Sequence, residues 1–206
     1  MRKIACILML FMVVSASAPA LAEESAPPQI DYSAAQEAAE LFSALGFELP
    51  ETFSFEEEMT RANFLYLLMQ LLGFPKGGSV HGFSDVTEDL ELSGVLGYAQ
   101  SLEIVAEAAE FRPFDSVTYA EACKMCVVAA GYALEAERSG GFPSGYLAEA
   151  AALGLRGGLK NPSAENLSSG DALILLKNLG DTGIRIQTAS GESFVYETYK
   201  GRTSCV

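Results

Sequence analysis

The sequence predicts an all-α fold of three helix–loop–helix repeats packed with pseudo-three-fold symmetry, followed by a short β-prone tail. Three observations predict it. One pattern recurs over 33–74, 83–132 and 141–179: an Ala- and Leu-rich helix, an irregular loop, and a second helix opened by a capping residue. The register of the copies also agrees. The second helices start at Thr60, Thr118 and Ser168, 58 and then 50 residues apart, while the first helices end at Gly46, near Glu103 and at Gly154, 57 and then 51 apart. Finally, the second helices share apolar positions. Leu65, Cys123 and Leu173 fall at one count from the cap, and Leu68, Cys126 and Leu176 at another. A pair of helices of roughly a dozen residues is marginal alone in water. The three units are therefore expected to share one interior over 32–181.

The elements follow in order. Arg2 and Lys3, the apolar run from Ile4 to Val14 and the small-x-small Ala20-Leu21-Ala22 read as a secretory signal peptide over 1–22. That run is shorter than the roughly 20 residues a membrane span needs. Residues 23–31 read as a linker. The second helices open on Thr60-Arg61-Ala62-Asn63, Thr118-Tyr119-Ala120-Glu121 and Ser168-Ser169-Gly170-Asp171. A Ser or Thr cap accepts from a free helix N–H, and a carboxylate three residues on returns a bond to the cap. Glu121 is the standard partner, Asp171 a shorter variant and Asn63 an uncharged one. In the tail, 182–206, the stretches from Ile184 to Gln187 and Phe194 to Tyr199 are β-prone, with Ala189-Ser190-Gly191 as a turn. A lone hairpin is marginal. The tail therefore either packs on the helices or begins a truncated second domain, and the second reading is preferred.

Composition bounds the function. The net charge is −14, and removing the signal peptide takes two positive charges and no negative ones, leaving −16. The remaining basic residues form no run, which argues against nucleic acid and anionic lipid as partners. No later segment is long and apolar enough to cross a bilayer. The mature chain carries Cys123, Cys126 and Cys205, an odd count that argues against a disulfide framework. Cys123 and Cys126 have the spacing of a metal half-site, but no second pair completes it, and the sole histidine, His81, lies in a Gly-flanked loop. Both cysteines sit at core positions and read as small hydrophobes. There is no nucleophile elbow, no phosphate-cradling loop and no zinc spacing. The expectation is no catalytic residue, no metal, no cofactor and no enzymatic activity.

Several motifs carry a resemblance. Phe83-Ser84-Asp85-Val86 is similar to an F-x-D-V opening, and Phe111-Arg112-Pro113-Phe114-Asp115 to an F-R-P-x-D loop. Thr60-Arg61-Ala62-Asn63 and Thr118-Tyr119-Ala120-Glu121 are similar to a T-R-A-E helix start. Gly145-Tyr146-Leu147 with Ala151-Ala152-Leu153-Gly154-Leu155 matches the first helix of a third copy. Together these resemble the S-layer homology (SLH) modules of bacterial cell-surface proteins, usually found in threes. The resemblance covers most of the chain to about Asp181 and is best in the second repeat. It implies a three-fold pseudo-symmetric helical prism whose inter-module grooves bind secondary cell-wall polymer, often through a pyruvylated sugar, or another peptidoglycan-linked glycan. It also implies a secreted protein held at the cell wall.

The resemblance and the residues together nominate Arg61, Arg112, Asp85 and Tyr119 for ligand contact. Arg61 follows a helix cap, where free N–H groups, the positive dipole end and a guanidinium suit a carboxylate. Its structural alternative is a solvated arginine near Glu56 to Glu58. Arg112 has an ion pair with Asp115 as its alternative, Asp85 a loop brace before Leu90, and Tyr119 a packed surface tyrosine. Tyr119 and Ser169 replace the arginine in two repeats, and the chain has no tryptophan. The expected function is non-covalent attachment to cell-wall polysaccharide. The alternatives are a degenerate SLH scaffold that binds a surface-protein partner, or the anchoring part of a longer enzyme or surface protein.

Overall fold

The computed structural model describes residues 30–49, 53–74, 77, 80–88, 90–162, 165–187 and 193–198, with side chains as far as Arg185. The signal peptide, nearly all of the linker, and Cys205 lie outside the described residues.

Among the described residues the chain is mostly helical. The order is α1 (Ser33–Ala44), α2 (Arg61–Leu71), α3 (Ser93–Ser101), α4 (Tyr119–Ala129), α5 (Ala133–Arg138), α6 (Ser144–Ala152) and α7 (Ser169–Asp181), then strands β1 (Gly183–Gln187) and β2 (Ser193–Thr198). The first helices end where the sequence places them: Gly46, Glu103 and Gly154 all adopt left-handed backbone, at φ 78°, 60° and 76°.

The caps behave alike. Thr60, Thr118 and Ser168 are extended, and each side-chain oxygen accepts from the backbone N–H three residues on, at 3.2 Å in every case. The reciprocal bond forms at Thr118 and Glu121. Asp171 instead turns to the loop before it and accepts from the backbone N–H groups of Lys160 and Asn161 at 2.7 and 2.9 Å.

Residues just before the caps join the repeats. Met59 N–H donates to Leu167 O (2.8 Å), Leu167 N–H to Val117 O (3.0 Å) and Val117 N–H to Met59 O (2.8 Å), closing a cycle. The first helical N–H of each second helix also donates to the loop of another repeat: Arg61 to Asp115 O, Tyr119 to Glu165 O and Ser169 to Glu57 O. Ala62 and Gly170, one residue further on, donate to Pro113 O and Phe55 O. The orphan donors that every helix start exposes are thus taken up between repeats.

Helix packing runs in the same order. α2, α4 and α7 touch one another, while α1 packs on α7, α3 on α2 and α6 on α4. Leu65, Cys123, Leu173, Leu68, Cys126 and Leu176 are all fully buried in one apolar cluster. α5 is an element the repeat pattern did not anticipate. It seats Ala136 in the core and packs on α6.

β1 pairs antiparallel with β2 and lies against the helices. Arg185 N–H donates to Ala130 O (2.8 Å), its guanidinium lies 5.5 Å above the Tyr132 ring and pairs with Glu135, and Ile184 is buried. Gly131, at φ 84°, lets the strand approach, because a Cβ there would stand 1.9 Å from Arg185 O. Gly131→Ala is expected to cost about 1–3 kcal/mol in backbone strain and contact and to loosen the strand. Trypsin should then cut after Arg185 faster than in the parent protein. Unchanged cleavage and thermal midpoint would contradict this seating.

Candidate functional site

Two concavities lie at the seams. The first, of about 190 Å³, is formed by Arg61 at the start of α2, Ile104 to Ala106 after α3, Glu121, Lys124 and Met125 of α4, and Phe142. The second, of about 430 Å³, is formed by Thr118 to Ala120 at the start of α4, Phe142, Pro143 and Leu147, together with Arg156, Pro162 and Glu165. Phe142 belongs to both and is 50% exposed. Lys124 Nζ sits 5.6 Å from its ring and 5.7 Å from that of Tyr146, a cation–π arrangement that fixes the platform. A third concavity, of about 450 Å³ beside His81, Gly97 and Glu107, is lined by no Lys or Arg.

Arg61 is not the solvated arginine of the structural alternative. It is 9% exposed, and Nε donates to Phe111 O at 2.9 Å. Its guanidinium lies 5.0 Å over the Phe111 ring and meets Glu121 Oε1 at 2.7 Å. Glu121 in turn accepts from Thr118 N–H. Burial alone raises the Glu121 pKa, but the bond from Thr118 and the Arg61 charge outweigh it and hold the carboxyl below its ordinary value. The one guanidinium therefore ties the first repeat to the second. Glu56 to Glu58 are exposed.

Arg112 is exposed, 3.5 Å from Asp115 and 3.6 Å from Glu121. Asp85 braces a different loop from the one expected. Its two oxygens accept from Phe111 N–H (2.8 Å) and Arg112 N–H (2.7 Å), holding Arg112 at φ 60°. Burial works against the Asp85 charge, yet these two bonds carry its pKa below the ordinary carboxylate range.

Tyr119 is 6% exposed and lies under Arg156, whose guanidinium carbon is 5.5 Å from the ring centroid. The Tyr119 hydroxyl faces the Cys123 sulfur and the Arg156 guanidinium, while Arg156 Nε, like Arg61 Nη1, has no hydrogen-bond partner among the described residues. Burial, then the Cys123 sulfur, pushes the Tyr119 phenol up. Burial likewise lifts the Cys123 thiol to about 11 and pushes Cys126 well above its ordinary value, so both remain protonated. Among the described residues no group of three or more His, Cys, Asp or Glu could hold a metal.

One premise from the sequence changes. The helix-start N–H groups at Arg61 and Tyr119 are not free for an anion, because neighbouring loops already accept from them. Chemistry at the seams falls to side chains. Sequence reasoning missed three of these: Arg156, Lys124 and Phe142. For Arg156 a signal existed, an arginine two residues beyond the helix-ending Gly154. Phe142 and Lys124 carried none, because only packing brings them together.

No family model matches the chain. Two curated relatives are similar to it. A surface layer protein of Brevibacillus choshinensis is 28% identical over 123 residues, 57% of this chain and 11% of the relative. A middle cell wall protein of Brevibacillus brevis is 27% identical over 154 residues, 72% of this chain and 14% of the relative. The chain thus matches a small part of each, and this distant similarity supports a cell-surface protein of the surface-layer type. No helix among the described residues is long and apolar enough to cross a membrane.

Arg61→Ala is expected to destabilise the fold by about 1.5–3 kcal/mol, the range for a lost charged hydrogen bond with a partner left behind. Chemical denaturation measures it, and a shift under about 0.5 kcal/mol, typical of surface changes, would remove Arg61 from the structural frame. Acid should weaken the protein for a related reason. Glu121 and Asp85 have lowered folded-state values, so their contribution is complete above the unfolded-state value and lost as pH falls through the folded one. Melting temperatures followed below pH 5 should drop more for the parent than for Glu121→Gln, and parallel curves would refute the linkage.

Proposed function

We propose that this cell-surface protein attaches non-covalently to cell-wall polysaccharide, through seams between three SLH-like repeats arranged with pseudo-three-fold symmetry. Its role is binding, not catalysis, and its ligand is the secondary polymer linked to peptidoglycan. One observation carries the reading: an exposed aromatic ring, Phe142, is shared by two adjoining seam pockets, each with a cationic side chain. A flat apolar face beside fixed cations suits a sugar ring that carries acidic substituents. The cyclic hydrogen bonds of the caps support the symmetry, and the surface-layer and cell-wall relatives support the setting.

Sedimentation of the purified secreted chain with wall sacculi tests it. The chain should co-sediment with intact sacculi and not with sacculi stripped to bare peptidoglycan. Phe142→Ala should reduce retention by roughly tenfold, about 1.4 kcal/mol, with the melting temperature kept. Equal retention on intact and stripped walls, or none on either, would overturn the reading.

A further inference from the structure

We propose that the two seam pockets are successive subsites of one cleft, filled by consecutive units of a single glycan chain. The proposal rests on the wall-glycan reading and gives its ligand a minimum length: the protein recognises a stretch of polymer, not one sugar unit.

The pockets have a common wall. Phe142 lines both and is half exposed. Two separate ligands would have to meet at that one ring, whereas two units of one chain arrive there already joined. The pockets also share a floor. α4 supplies Thr118 to Ala120 to the larger pocket and Glu121, Lys124 and Met125 to the smaller. Ala120 and Lys124 are four residues apart and so neighbours on one helix face. The cleft therefore follows α4 from its cap into its second turn, a rise of about 10 Å from Thr118 to Met125. The junction between the pockets is rigid. The Phe142 and Tyr146 rings lie 6.5 Å apart, and Lys124 Nζ stands against both, at 5.6 and 5.7 Å. Tyr146 is buried and its hydroxyl donates to Glu137 Oε1 at 2.7 Å, which ties the ring pair to α5. A ring held in this way keeps the two pockets at a fixed separation, the condition under which a linked ligand gains from both. The cations do not distinguish the pockets. Lys124 faces Phe142 in one, and Arg156 faces Tyr119 in the other. Like chemistry in both halves suits a repeating chain.

Glycan fragments released from sacculi by mild acid, and separated by length into single units, pairs and longer pieces, test this. Binding to the full secreted chain is followed by calorimetry and amide NMR. Affinity should rise roughly a hundredfold or more from the single unit to the first fragment that fills both pockets. It should then level off, at one fragment per protein. That fragment should shift Ala120 and Leu147 of one pocket together with Val105 and Met125 of the other, along one titration curve. Ala106→Trp and Glu165→Trp each place a bulky side chain at the exposed rim of one pocket, with the melting temperature read as the check on folding. Either should return the longer fragment to the affinity of the single unit. Affinity independent of length, two fragments bound per chain, or a blocked pocket that halves capacity and leaves affinity intact would overturn the proposal, with wall attachment still standing. The same holds if no fragment binds to a protein that sacculi retain. No binding of any fragment and no retention on sacculi would overturn wall attachment and the shared cleft together.

Discussion

Three buried backbone bonds hold the rest of the structure in place: those linking Met59, Leu167 and Val117 in a closed cycle. Their side chains fill the interior, so the peptide groups cannot turn to water and must be paired. None finds its partner within its own repeat. Each loop supplies an acceptor to one neighbour and takes one from the other. The helix-start donors next to the cycle follow the same rule. No one of these three stretches pairs its buried peptide groups by itself. The shared apolar cluster of α2, α4 and α7 is the side-chain counterpart of that constraint.

The same constraint shapes the seams. A helix start is an anion site only while its N–H groups are unused. Here the neighbouring loops use them, which leaves side chains to line the junctions. Arg61 is itself drawn into the frame, between Glu121 and Phe111. Arg156 reaches the next junction from a loop and lies over the Tyr119 ring. One acidic chain of net charge −14 thus places cations at both neighbouring seams. At physiological salt, charges more than about 8 Å away are screened. Under the proposed function the local cation, not the net charge, would therefore govern whether an acidic sugar is accepted.

The wall attachment proposed for this protein would ask little of any single contact. Under the proposed function, two adjoining pockets joined by one aromatic ring would present a track to a repeating polymer, and neighbouring subsites on one chain would reinforce each other through effective concentration. The likeness to a surface layer protein and a middle cell wall protein agrees with this economy. In a sequence without tryptophan, the exposed Phe142 ring beside Lys124 is the aromatic surface that both pockets share.

Local chemistry by itself determined the helices, their caps and their ends. Thr60, Thr118 and Ser168 cap because a hydroxyl three residues from a helix N–H is a local geometric fact, and Gly46 and Gly154 end helices because their backbone turns left-handed. The buried stripe through Leu65, Cys123 and Leu173 was legible from period alone. Tertiary structure decided what spacing cannot encode. It spent Arg61 on Glu121, turned Asp85 to the loop at Phe111, inserted α5, seated β1 against Gly131, and gathered Phe142, Lys124 and Arg156 at the seams. Each of those outcomes depends on which distant groups meet in three dimensions and on which partners are already taken, and one-dimensional order carries neither.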